Sequence, residues 1–126
     1  STFREFMHVD DLGNASLFAL ENWDPNEDNS PKHASGSPLT FLNVGTGKDI
    51  TIKDLSEKIS LILNFKGDIV WDTSKPNGTP RKLLNSDRLK SLGWSPNISL
   101  DEGLKETIDS YQKLAAKNNL RGINNL

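Results

Sequence analysis

Cysteine is absent from all 126 residues. That excludes disulfides, a thiol nucleophile and a thiolate metal site, and it fits an expected cytoplasmic location. Histidine is nearly absent too, with only His8 and His33. They share no helix face, and no carboxylate pair completes a metal site with either. His33 sits among polar residues and is expected to be solvated. The single tyrosine, Tyr111, recurs with apolar residues at helical spacing and reads as a core residue. No Ser–His–Asp arrangement is legible from spacing. No apolar run approaches a membrane span, and no signal peptide is visible. A large excess of positive charge is also missing. The formal net charge is −2 and the charges are interspersed, which argues against broad nucleic-acid binding. No initiator Met opens the chain and a motif begins at once, so the chain reads as a piece of something longer.

The length is that of one domain, enough for a real but modest core. Phe3 to Val9 reads as a short strand with Phe6 as a buried anchor. Asp10 or Asp11 can cap a helix over 11–23, with Leu12, Ala15, Ala19 and Leu20 on one face. Residues 24–38 contain almost nothing apolar and read as a mobile surface loop. Leu39 to Val44 reads as a strand, closed by Gly45-Thr46-Gly47. Those glycines permit close backbone approach or positive φ, but the third glycine of a dinucleotide fingerprint is missing. Thr51 opens a capping box with Asp54 for a helix over 52–63, followed by a strand over 68–72. Ser86 can cap a short helix over 87–92, stopped by Gly93. Ser99 and Glu102 form a second capping box, opening a helix over 100–117. The polar tail, 118–126, is expected to fray. The order of elements predicts a small α/β fold of short strands with three to four helices.

The stretch with the most chemistry is Lys75-Pro76-Asn77-Gly78-Thr79-Pro80-Arg81-Lys82. Two prolines and a glycine make a rigid, irregular loop that delivers two adjacent cations after an expected strand. Arg presents a planar fork of donors and Lys a mobile point charge, and both suit phosphate oxygens. Arg4 supplies a third cation from a distant segment. Cations on two separate segments could clamp a diphosphate, or each could be a solvated charge. Asp10-Asp11 could bind a metal, but helix capping accounts for both residues.

Taken together, these residues resemble a family. Arg4-Glu5-Phe6-Met7-His8-Val9-Asp10-Asp11 and Asn43-Val44-Gly45-Thr46-Gly47 are similar to segments of nucleotide-sugar epimerases and dehydratases, extended short-chain dehydrogenase/reductases. Gly67 through Leu84, then Arg88-Leu89, Leu92-Gly93-Trp94 and Ile98-Ser99-Leu100 with Glu102-Gly103-Leu104, resemble the C-terminal part of GDP-L-fucose synthases. The likeness covers about residues 2–112. It implies that residues 1–117 are a substrate-binding domain, with the Rossmann domain absent. It also implies that Arg4, Arg81 and Lys82 hold the diphosphate of a GDP-sugar, with Asp72 bordering the nucleotide. NADPH and the catalytic Ser, Tyr-x-x-x-Lys, Cys and His are implied to belong to an N-terminal Rossmann domain, so this chain alone is expected to be inactive. The parent is implied to be a homodimer, with no nucleic-acid or membrane partner. Asn85 stands where the family has Asp, and Gly13 where it has Ala or Met. A fragment of another nucleotide-sugar epimerase or dehydratase, a free-standing anion-binding module and a structural interaction domain are the other readings. An adjoining glycine-rich strand–turn–helix would separate them.

Overall fold

A computed structural model describes residues 2–117. The tail over 118–126, expected to fray, lies outside the described residues. The first strand, β1 (Phe3–Glu5), is the centre of a three-stranded sheet in the order β2-β1-β3. β2 (Asp49–Thr51) pairs with it antiparallel, Arg4 opposite Ile50. β3 (Arg81–Lys82) pairs with it parallel, Phe3 beside Arg81 and Arg4 beside Lys82. One further backbone bond runs to each side of β1, from Phe3 N–H to Pro80 O (2.8 Å) and from Ile52 N–H to Thr2 O (3.1 Å).

β1 stops at Glu5 rather than running to Val9, because His8 takes over. It is the N-cap of α1 (Val9–Asn22), and its Nδ1 accepts from Asp10 N–H at 3.3 Å. The acidic pair expected as caps divides differently. Asp10 sits in the first turn, where it complements the helix dipole. Asp11 is buried and its two oxygens accept from Asn97 N–H (3.0 Å) and Ile98 N–H (2.9 Å). The start of α1 is thereby tied to the turn before the last helix.

α2 (Ile52–Ile62) is capped by Thr51, whose hydroxyl accepts from Asp54 N–H at 3.0 Å. α3 (Asp87–Ser91) is a single short turn of helix. Ser86 occupies its N-cap position without capping it, for its buried hydroxyl donates to Gly45 O at 3.1 Å. Asn85 substitutes, accepting from Asp87 N–H at 2.9 Å. α4 (Leu100–Ala116) has the full reciprocal capping box of Ser99 and Glu102. It packs against α2, where Lys58 Nζ meets Asp101 Oδ1 at 2.6 Å.

Two expected strands do not form. Residues 39–44 bury apolar side chains without the period-2 alternation of a strand. Leu39 is buried and Leu42 and Val44 pack on the core, while Phe41 faces solvent. Among the described residues no strand pairs with them, so they form no strand. Residues 68–72 are exposed throughout and also unpaired. Residues 24–38 carry some internal order: Asp24 Oδ1 accepts from Asn26 N–H (2.9 Å), and Lys32 bridges to Pro38. His33 is half-buried, its ring edge-on to Phe41 at 6.4 Å, rather than simply solvated.

The core is small. Ala15, Leu89 and Trp94 form its buried centre, with Met7, Phe18, Leu42 and Val44 packed against them. The indole N–H of Trp94 donates to Asn14 Oδ1 at 3.0 Å, so the ring buries no orphan donor. Tyr111, expected inside, is 55% exposed, and Phe6 is 37% exposed. The apolar stripe of α4 extends past the surface that α2 and the β1–α1 turn can cover, so its far end meets solvent.

Candidate functional site

The cations sit on the central strand β1 and the edge strand β3. In parallel register Arg4 and Lys82 are direct neighbours and share one face. Arg81, beside Phe3, is on the other face. There its guanidinium meets the Asp49 carboxylate of β2, with Nη2 to Oδ1 at 3.1 Å. This carboxylate holds the guanidinium's pKa above its ordinary value, first by hydrogen bonding and then by charge. Arg81 is thus a neutralised, sheet-spanning tie as well as a cation.

Arg4 is half-buried, and its Nη1 donates to Phe3 O (2.6 Å) and Thr79 O (2.8 Å). The loop that the sequence singled out therefore closes on Arg4. Gly78 approaches it as well, since a Cβ there would lie 3.4 Å from Arg4 Nη2. Lys82 makes no ion pair among the described residues. A groove of about 560 Å³ is lined by Arg4, Glu5, Arg81, Lys82, Leu83 and Leu84. All three expected cations border this groove, but only Arg4 and Lys82 share a face; the Arg81 side chain lies on the opposite face, paired with Asp49.

Asp72 is not among those residues. It lines a separate groove of about 470 Å³ with Lys53, Trp71, Thr73, Lys75 and Asn77. Its carboxylate accepts from the Ser74 hydroxyl (2.6 Å) and Ser74 N–H (2.9 Å). Those bonds, the hydroxyl's first, lower its pKa. The expected position at a strand end fails because the strand over 68–72 does not form. No group of three metal-ligating side chains occurs among the described residues, and the Asp10-Asp11 pair is used as described above.

Glu5 is the residue that the sequence reading passed over. Its Oε1 accepts from Gly47 N–H (2.6 Å) and the Thr46 hydroxyl (3.2 Å), and its Oε2 accepts from Leu84 N–H (3.1 Å). Gly45 lies against the same carboxylate, and a Cβ there would come within 2.7 Å of Oε1. Gly47 adopts φ 76°, the left-handed region that favours glycine. A carboxylate in a short strand opposite a Gly-x-Gly turn is a legible combination, but its partners are some 40 and 80 residues away (|i−j| of 42 and 79).

No family model matches the chain. Individual relatives do. A putative GDP-L-fucose synthase 2 of Arabidopsis thaliana is 45% identical over 111 residues, 88% of this chain and 30% of that protein. The GDP-L-fucose synthase of Escherichia coli strain K12 is 45% identical over 108 residues, 82% of this chain and 31% of that protein. Over most of its length this chain is similar to the C-terminal part of GDP-L-fucose synthases. Among solved structures, a GDP-D-glycero-L-gluco-heptose synthase of Campylobacter jejuni, crystallised in the presence of NADPH, matches with TM-score 0.72. It is 30% identical, and the match covers 89% of this chain and 31% of that one. The fold is accordingly that of a small α/β part of extended short-chain dehydrogenase/reductases. The chain spans about a third of the length of the relatives it matches.

Proposed function

We propose that this chain is the substrate-binding portion of a GDP-L-fucose synthase. Such an enzyme converts GDP-4-keto-6-deoxy-D-mannose to GDP-L-fucose by epimerisation and NADPH-dependent reduction. The observation that carries the reading is the parallel register of β1 and β3. It sets Arg4 and Lys82 side by side on one groove, from segments some eighty residues apart. A diphosphate has oxygens on both phosphorus centres, and two adjacent cations can each take one. Arg4 lends a positive field while its donors hold the loop, and Lys82 offers mobile donors to the ligand. Asp72, in its separate groove, is outside the diphosphate contact in this reading.

NADPH fits poorly on this chain. The Gly45-Thr46-Gly47 turn is the nearest thing to a phosphate cradle, and its Gly47 N–H and Thr46 hydroxyl already donate to the Glu5 carboxylate. A dinucleotide's phosphates would meet a negative charge there. The cofactor and the catalytic acid–base groups therefore belong to an N-terminal Rossmann domain of the parent enzyme, itself a cytoplasmic homodimer. Within this chain the residues bind and orient the nucleotide; they move no proton and carry no hydride.

The test is turnover. Full-length enzyme given NADPH and GDP-4-keto-6-deoxy-D-mannose is expected to form GDP-L-fucose, while residues 1–126 alone stay at the buffer rate. Isolated binding of GDP is expected to be weak and to weaken further with salt, because half a cleft leaves the cations in water. Turnover by the chain alone contradicts the assignment.

A further inference from the structure

We propose that Glu5 is a positioning residue for the nucleotide, acting through the backbone of the segment that carries Lys82. The inference rests on the groove reading above and adds to it. β3 is two residues long, and every residue from 63 to 85 is exposed. Apolar burial therefore does not hold the Lys82 segment in place. What holds it is polar: the Arg81 side chain pairs with Asp49 of β2, and the remaining ties named here come from β1. On one side Arg4 donates to Thr79 O and Phe3 N–H to Pro80 O. On the other side Glu5 accepts from Leu84 N–H, two residues beyond Lys82. Consecutive residues of β1, directed to opposite faces, thus fasten both ends of the 79–84 segment.

The carboxylate is itself fixed. Two donors of the Thr46–Gly47 turn hold Oε1 while Oε2 takes Leu84, and Gly45 leaves no room for the group to shift toward it. Charge-assisted bonds from several donors to one carboxylate make a stiff, directional joint. Glutamine at this position keeps the volume but turns an NH₂ toward a backbone N–H on one side. One of the two attachments must then open. If it is the Leu84 side, Lys82 loses its register beside Arg4.

The experiment uses the full-length enzyme, with GDP as the probe in calorimetry and steady-state kinetics alongside. Glu5→Gln is expected to weaken GDP binding about tenfold and to raise KM by a similar factor, the loss of one charge-assisted bond, with kcat within about twofold. Lys82→Ala should weaken GDP to a similar degree. The double variant should be little weaker than Lys82→Ala alone, because positioning a lysine that is no longer there has no effect. A purely structural role would instead lower the melting temperature and multiply with Lys82→Ala, and that outcome overturns the inference. Should Glu5→Gln fail to fold, Thr46→Val removes a single donor to the same carboxylate. It should weaken GDP about threefold, and binding equal to the parent overturns the inference. Wild-type binding by Glu5→Gln with weakened binding by Lys82→Ala rejects only the positioning role. Wild-type binding by Lys82→Ala rejects the groove reading itself, and Glu5's role falls with it.

Discussion

Gly13 lies in the interior of α1, on its exposed side, and a Cβ there would meet nothing within 4 Å. Glycine in such a position loses backbone entropy on folding and contributes no packing in return. Gly13→Ala should therefore stabilise the protein by about 1 kcal/mol, read as a higher denaturation midpoint with unchanged slope. Destabilisation would mean that α1 meets a partner surface at Gly13 that leaves no room for a methyl group. Gly45 is the opposite case. Its methyl would collide with the Glu5 carboxylate, so Gly45→Ala should disturb the turn and the sheet edge together. Both glycines stood out in the sequence, one as a departure from the family pattern and one as part of a turn. Only the structure tells which of them has room.

At the scale of elements, α4 shows the clearest dependence on a local signal. Ser99→Ala removes the hydroxyl that accepts from Glu102 N–H and should lower stability by about 1 kcal/mol. The Ser99 hydroxyl and then its N–H lower the pKa of Glu102 below its ordinary value of 4.5. A carboxyl whose folded pKa is depressed contributes stability that is present above the unfolded value and lost as pH falls through the folded one. The start of α4 should therefore fray on acidification below that ordinary value, seen as falling far-ultraviolet circular dichroism. Ser99→Ala should flatten this acid limb, and an acid limb identical to the parent's would remove the capping box as its cause.

The helices were legible because period and caps are local. Ile52, Leu55, Ile59 and Ile62 announce α2, and Ser99 with Glu102 announces α4 to within a residue. Of the strands, only β1 was legible, inside the strand expected over Phe3 to Val9. β2 and β3 are three and two residues long, polar, and defined only by what lies beside β1. Conversely, residues 39–44 are apolar enough for a strand but pair with none among the described residues. The cations Arg4, Arg81 and Lys82 were visible as a chemical type. Their meeting at one groove depends on strand register, which no local pattern encodes. Asp72 borders a different groove, because the strand expected over 68–72 does not form.

For the molecule as a whole, apolar exposure is the telling quantity. Among the described residues, 17 large apolar side chains are exposed. Val70 is 86% and Leu20 84% exposed, and Trp71 is nearly half exposed. Among the described residues, four apolar side chains are buried: Ala15, Leu39, Leu89 and Trp94. Such a fold gains little from burial against the entropy of ordering its chain. Residues 1–126 alone should therefore unfold at low denaturant, with a shallow transition and strong binding of an apolar dye. The same residues within the full-length enzyme should unfold cooperatively at higher denaturant. A steep, isolated transition extrapolating to more than about 5 kcal/mol would show that the chain needs no covering partner.

Steady-state kinetics of Lys82→Ala in the full-length enzyme, at two salt concentrations, test the diphosphate groove most directly. A diphosphate held alike in the ground and transition states contributes to KM and not to kcat. The expected result is a KM about tenfold higher, a kcat within about twofold of the parent, and a KM that depends less on salt than the parent's. A large fall in kcat with KM unchanged would place Lys82 in the chemistry of the sugar and contradict a groove that only binds the nucleotide.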